Sequence, residues 1–519
     1  MNKNLQIVFD YHERTKHSHQ RYAKSLGYMD WATQPDPFRE YKGAKQILLP
    51  IALKNPTPPY SLLDEELPDA PLLKESLSQL LQFSLGIAAW KSSDGNSWAV
   101  RCNASSGNLH PTESYLVLPP MMGSEKSTVM HYAPKEHTLE QLAVFSTNFW
   151  QGLPQESFLL GLSSIPWREA WKYGERAFRY TQLDAGHAYN ALAVSAKLLG
   201  WKLTRIDSLS DAQIEKLFGL SQKERFFEEE IADMLFIVSK KSCNPLHDFT
   251  SLLKDLPQQY EGIANRLSPS MHEWEIIPRV AAATAERSKA LPLIHQACSV
   301  KRAPTKEAKE VILKRRSIHV MDKEESRISA EQFHTLLNAA ICSQDGRVNA
   351  AHLLLFVHRV AEYKQGLYIL VREESALHEL QKEFKEEFLW QKTSYKNLYL
   401  LEIEDYTEAS KIISCNQAIA SDGAFSLGML CRYAEELLEC DAHRYKELYW
   451  ECGAIGQQLY LEATSLGLSG TGIGCFLDDL VHKQILGMKN NSYQSLYHFT
   501  IGRGYVDNRI QTQQAYKRG

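Results

Sequence analysis

The sequence predicts two related halves, each mixing α-helices with β-strands, joined by a linker. Three observations carry this. First, laid gaplessly, AGHAYNALAVSAKLLGW (185–201) and CGAIGQQLYLEATSLGL (452–468) share Gly186/Gly453, Leu192/Leu459, Ala196/Ala463, Leu199/Leu466 and Gly200/Gly467, a constant offset of 267. Second, that offset is about half of the 519 residues. Third, the order of the elements around the repeated segment is the same in both halves.

The elements follow in order. In KESLSQLLQFSLGI (74–87) and SAEQFHTLLNAAI (329–341) the apolar residues return at helical spacing, and each stretch precedes a strand-like run, ESYLVLP (113–119) or LLLFVHRV (353–360). The repeated segment comes next. Ala185, Tyr189, Leu192, Ala196 and Leu199 mark one helical face, and Gly200 and Gly467 stand where left-handed C-terminal caps fall. The apolar runs MLFIVS (234–239) and YHFTIG (497–502) then read as core strands. Between the halves, SPSMHEWEIIPRV and KRAPTKEAKE carry the Pro-bearing pattern of a linker with a few helices. The expected boundaries are a first unit at 1–240, a linker at 241–310 and a second unit at 311–519.

Composition excludes several classes. With 44% hydrophobic and 23% charged residues, the chain can bury substantial cores, so disorder and collagen-like structure are excluded. The balance of 58 Lys+Arg against 62 Asp+Glu, net charge -4, lacks the dense basic footprint of a nucleic-acid binder. The start, MNKNLQIVFDYHERTKHSHQ, has no basic stretch followed by an apolar core, and no run of ~18 apolar residues occurs elsewhere. The expectation is a cytoplasmic protein with no membrane span. Nine cysteines are scattered and never spaced as C-x-x-C, so neither a disulfide framework nor a metal site is expected, and each reads as a small buried apolar residue.

Four segments can carry chemistry. In RCNASSGNLHPTESYLVL (101–118), Ser105, Ser106, Gly107 and Asn108 can offer backbone N–H groups and hydroxyls to a planar or anionic ligand, or form an ordinary turn. In LKRRSIHV (313–320), Arg315, Arg316 and Ser317 can clamp a phosphate monoester through charge-assisted bonds, or sit solvated on a surface. GLSGTGIGCFLDD (467–479) has the glycine density that lets backbone lie against a flat ligand, but not the strand-to-helix spacing of a dinucleotide fingerprint. Its counterpart in the first half, WKLTRIDSLSDAQ, has no glycine. In WREAWKYGERAFRYTQLDAGH (167–187), Lys172 and Tyr173 form a proton-transfer pair if a pocket depresses the Lys pKa; otherwise they are amphipathic packing with the charged heads in water.

Taken together, ASSGNLHPTESYLVL, WKYGERAFRYTQLDAGH, LKRRSIHV and GTGIGCFLDD resemble the nitroreductase superfamily, and more narrowly its tandem members related to SagB-type azoline dehydrogenases. The resemblance implies an α+β fold: two fused nitroreductase-like units, each an antiparallel-rich sheet flanked by helices, forming an intrachain pseudodimer that binds FMN. It implies that Arg315, Arg316, Ser317 and Arg503 hold the flavin phosphate. Gly472, Ile473 and Gly474 match the loop beside flavin N5, and Ser105, Ser106, Gly107 and Asn108 match the loop that the opposite unit contributes. Lys172 and Tyr173 match a Lys-Tyr pair that assists proton removal while hydride moves to N5. The first half lacks the Arg-Arg-Ser and the glycine-rich loop, and the second has VNAAHLLLF (348–356) in place of the serine loop. These complementary losses imply one composite site and one FMN per chain. The substrate class is a small or peptide-derived molecule. The competing readings are an NAD(P)H-dependent nitro- or quinone-reductase, and a noncatalytic flavin-binding or peptide-docking scaffold.

Overall fold

A computed structural model of the chain describes residues 2–241, 243–244, 249–287, 302, 306–341 and 349–517. Part of the expected linker, together with Cys298, Cys342 and Val348, lies outside the described residues. The chain divides into two units of interleaved segments. The first comprises Lys24–Ala290, Glu307–Leu313 and Arg509–Gly519; the second comprises Met1–Ala23, Leu291–Lys306 and Lys314–Asn508. Each half thus gives one of its ends to the other half's unit.

The first unit contains β1 (Lys45–Leu48), α1 (Lys74–Ser84), β2 (Ile87–Ser93), β3 (Asn96–Arg101), β4 (Thr112–Leu118), β5 (Ser127–Ala133), β6 (Thr138–Phe145), β7 (Ser157–Ser164), α2 (Pro166–Tyr173), α3 (Ala177–Lys197), β8 (Lys202–Ile206) and β9 (Ile231–Ser239). Seven strands form one sheet in the order β1-β6-β5-β4-β7-β9-β8, with every pairing antiparallel. Val117, Val129, Leu159, Leu235 and Ile237 line one apolar core of this unit. The C-terminal strand Gln511–Gln514 extends the β2–β3 hairpin.

The second unit contains α4 (Ala330–Ile341), β10 (Ala351–Val357), β11 (Gly366–Leu370), β12 (Leu398–Glu402), β13 (Phe425–Arg432), α5 (Arg444–Ser465), β14 (Ser469–Ile473) and β15 (Tyr493–Gly504). Its strands pair in the order β14-β15-β13-β10-β11-β12, which is the order β8-β9-β7-β4-β5-β6 of the first unit. The N-terminal helix Lys3–Arg14 belongs to this unit, where His12 Nδ1 lies 3.2 Å from the Tyr445 hydroxyl.

The repeated helix is the clearest mark of duplication. Both copies are buried along almost their whole length, as expected of a helix covered on every side. Both end in the same way. Gly200 has φ +68° and Gly467 φ +72°; Trp201 N–H donates to Ala196 O at 3.0 Å, and Leu468 N–H to Ala463 O at 2.8 Å. A glycine at C′ tolerates the left-handed turn that brings the next N–H back to an orphan carbonyl five residues earlier. The strand after each cap, β8 or β14, is then antiparallel to the long strand that follows. No helix among the described residues is long and apolar enough to cross a membrane. The cysteine expectation needs correction: Cys102, Cys431 and Cys452 are buried, but Cys243, Cys415, Cys440 and Cys475 are only partly so, because they fall in loops or near helix ends.

Candidate functional site

Two clusters of the expected residues form, one in each unit. In the first unit, the segment 105–108 is a tight turn whose Gly107 (φ +57°), Asn108 (φ +59°) and nearby His110 (φ +51°) all occupy the left-handed region. Such a turn needs anchoring, because left-handed backbone is unfavourable for non-glycine residues. Asp184 on α3 supplies the anchor. It accepts the Ser106 N–H on both carboxylate oxygens at 3.0 Å and the Ser106 hydroxyl at 2.9 Å. His110 N–H donates to Ser105 Oγ at 2.8 Å, and the Asn108 amide donates to Ala99 O at 2.9 Å. Burial pushes the Asp184 carboxyl up to about 7, although the bonds from Ser105 and Ser106 favour its anion.

The turn meets the Lys-Tyr pair. A Cβ on Gly107 would stand 2.7 Å from Tyr173 Oη and 3.3 Å from Lys172 Nζ, so only glycine lets the backbone come this close. Lys172 is exposed and Tyr173 partly buried, with Lys172 Nζ 5.3 Å from the Tyr173 ring centre and Tyr173 against Tyr180. Pro166 at the first turn opens α2, and Gly174 (φ +55°) closes it against the Lys24 carbonyl. Arg168 ties this helix to the sheet. Its Nη1 donates to Glu113 at 2.5 Å and to His110 O at 2.7 Å, and its Nε to Asp36 O at 3.0 Å. Glu113 also lies 3.2 Å from His131 Nε2, whose Nδ1 is 2.9 Å from Glu140. Burial opposes both charges. Even so, Arg168 and His131 bring Glu113 down to about 2, and hydrogen bonds to Glu113 and Glu140 raise His131 to about 9.

In the second unit, Ser317 forms a parallel bridge with Gly470, and its hydroxyl lies 2.8 Å from the Tyr460 hydroxyl. The same Tyr460 oxygen accepts the Gly472 N–H at 2.8 Å. Thr471 holds Ile318 from both sides, accepting its N–H at 2.9 Å and donating to its carbonyl at 2.6 Å. Arg315 is buried with its guanidinium 5.1 Å from the Tyr460 ring centre, and Arg316 donates to the Arg315 carbonyl at 2.6 Å. Arg503 is exposed near the end of β15, where it donates to Gly467 O at 3.0 Å. Its backbone N–H donates to Ser326 at 2.9 Å. A Cβ on Gly472 would stand 1.7 Å from Tyr497 Oη, so this glycine is required by close approach of a ring. Ile473 closes the strand with its side chain buried.

Comparison with known proteins follows from this geometry. Residues 312–503, which contain the whole second-unit cluster, match the Nitroreductase family model. Residues 312–503 are thus a nitroreductase-family domain. A protein from Anabaena variabilis described as a nitroreductase superposes on 96% of the chain and 99% of its own, with TM-score 0.69 and 20% identity, so the whole chain shares that fold. The trifolitoxin-processing protein TfxB of Rhizobium leguminosarum bv. trifolii is 27% identical over 169 residues, 29% of this chain; the match spans 45% of the relative's length. A nitroreductase with bound FMN from Bacteroides fragilis overlaps 39% of the chain at 15% identity and TM-score 0.21.

The nitroreductase-type cluster of the second unit suits a flavin phosphate by its chemistry. Two adjacent arginines, a hydroxyl and a further exposed Arg503 are all donors, and the glycines of the neighbouring strand lie close against the Phe499 and Tyr497 rings. Among the described residues no group of His, Cys, Asp and Glu is arranged to hold a metal. Four buried side chains at these clusters were not singled out in the sequence: Asp184, Glu169 and Arg168 in the first unit and Tyr460 in the second. Asp184 lies within the quoted LDAGH and Glu169 one helical turn before Lys172, so spacing on a helix was the available signal.

Proposed function

We propose that the protein is an FMN-dependent oxidoreductase of the SagB type, taking a hydride and a proton from a peptide-derived or small-molecule substrate. The observation that carries this reading is the hydrogen-bonded set Ser317–Tyr460–Gly472, which fixes the Arg-Arg-Ser segment beside the glycine-rich strand. Arg315, Arg316, Arg503 and the Ser317 hydroxyl would bind the phosphate monoester, and segment 472–474 would lie beside the flat ring. FMN, when bound, supplies N5 as the hydride acceptor. In the first unit, segment 105–108 would orient donors toward the ligand, with Asp184 fixing their direction. Lys172 Nζ and Tyr173 Oη would hold or move the substrate proton. Each half lacks the motifs that the other has, and from this complementarity of sequence we read one flavin per chain.

Substitution tests the phosphate assignment. Arg315→Ala with Arg316→Ala is expected to weaken retention of added FMN by at least tenfold, since each lost charge-assisted bond is worth about 1.5–3 kcal/mol. Retention equal to that of the parent chain would move the phosphate elsewhere.

A further inference from the structure

Segment 472–474 is the part of the second unit assigned above to the flavin ring, and the chain on both sides of it is tied down. Before it, Gly472 N–H is held by the Tyr460 hydroxyl. Beyond Gly474, three contacts follow one another. The Phe476 ring stacks on His498 of β15, with centres 4.2 Å apart and planes 11° from parallel. Leu477 N–H donates to Ile413 O at 2.7 Å. Asp478, fully buried, then bonds reciprocally with His17 from the other end of the unit's sequence: Asp478 N–H donates to His17 O at 3.2 Å, and His17 N–H donates to Asp478 Oδ2 at 2.8 Å. Thr15, whose hydroxyl donates to Tyr11 O at 2.7 Å, ends the helix Lys3–Arg14 just before this pairing.

The neighbouring pair, Lys16 and Asp479, is ionic. Lys16 Nζ lies 3.1 Å from Asp479 Oδ1 and 2.6 Å from Glu13 Oε1. Asp479 also faces Lys483 Nζ at 2.7 Å and His482 Nδ1 at 3.9 Å. The two lysines are not equivalent, because the Lys16 side chain is 6% exposed and that of Lys483 63%. An exposed pair contributes little, whereas an ammonium group withdrawn from water requires its partners and holds them in place. We propose that Lys16 is a positioning residue for the flavin: together with His17 it clamps Asp478 and Asp479, and so fixes where segment 472–474 stands against the ring. Lys16 reaches the flavin only through Asp479 and the segment before it. This rests on the placing of flavin beside 472–474 proposed above.

Coupling of this kind is reciprocal: if the clamp favours bound FMN, bound FMN favours the clamp by the same factor. The first test therefore uses the unaltered full chain, comparing amide exchange at residues 16–17 and 478–479 with and without added FMN. Exchange there is expected to slow about fivefold or more when FMN binds. The second test uses variants. Lys16→Met is expected to release FMN about fivefold faster than the parent and to change the visible circular dichroism of the flavin it retains, and Lys16→Arg, which keeps the charge, should restore both. A merely structural role for Lys16 would lower the melting temperature of the flavin-free chain and leave that dichroism as it was. Exchange that FMN does not alter overturns the proposal even if Lys16→Met fails to fold, and so does a folded Lys16→Met chain with the parent's release rate and dichroism. A parent chain that takes up no FMN removes the flavin reading and the clamp's role with it, whereas FMN held equally well with and without the ion pair removes the clamp alone.

Discussion

Arg168→Met should show what holds the Lys172–Tyr173 helix to its sheet. Arg168 and Glu113 are both buried, and the pair is the shortest of the contacts tying α2 to β4. Removing one partner of such a pair leaves the other charge uncompensated, a cost of about 3–5 kcal/mol. The acid–base linkage gives a similar figure. Glu113 at about 2, against an ordinary 4.5, represents about 3 kcal/mol of stabilisation. Because the folded value is depressed, that contribution is complete above the ordinary value and is lost as pH falls toward 2. His131 has the opposite sign. Raised to about 9 from 6.5, it stabilises fully below 6.5 and loses its contribution as pH climbs through 9. The network is therefore strongest between about 4.5 and 6.5. In Arg168→Met the acid loss should shrink, because burial opposes the Glu113 anion with less to offset it. The assay is amide exchange of Thr112–Leu118 as a function of pH, which reads local opening without treating a two-unit chain as two-state. Arg168→Met with Glu113→Gln should recover most of the lost protection. Unchanged protection in the single variant, or an acid limb as steep as that of the parent, would refute the reasoning.

The second-unit strand offers a steric test. Gly472→Ala forces Tyr497 to move and should cost about 1–3 kcal/mol in urea unfolding of that unit; an unchanged midpoint would mean the ring is not packed as described. Asp184, raised to about 7 from 3.8, contributes stability that is present below its ordinary value and lost as pH rises through 7, on the order of 4 kcal/mol. Asp184→Asn keeps an acceptor for Ser106 and should flatten the fall in melting temperature between pH 5 and 8; an equally steep fall would assign the titration to another group.

What the sequence made legible was local and repeated. The helix pair at offset 267 keeps its small residues and its glycine caps because a buried helix and a left-handed turn restrict residue type at every copy. The candidate residues were readable as four segments for a related reason: Arg315–Ser317 and 472–474, like 105–108 and 172–173, are short stretches whose composition is unusual where they stand. The interleaving was not legible. Periodicity is a local signal and says nothing of which unit the ends Lys3–Arg14 and Gln511–Gln514 join. Asp184 and Glu169 were hidden because a lone acid on a helix most often faces water, and only burial separates these two from that default. Glu113, in a run read only as strand-like, and His131, in a segment that carried no reading, were concealed in a similar way: a charge is tolerated in a buried strand only beside a partner.

The central claim is that one FMN serves the whole chain, with its phosphate on the second-unit arginines. Flavin released from purified, FMN-saturated protein and divided by protein concentration tests it most directly. The account predicts one FMN per 519-residue chain. A ratio near two would contradict the complementary-loss argument, and a chain that takes up no FMN would contradict the oxidoreductase reading itself.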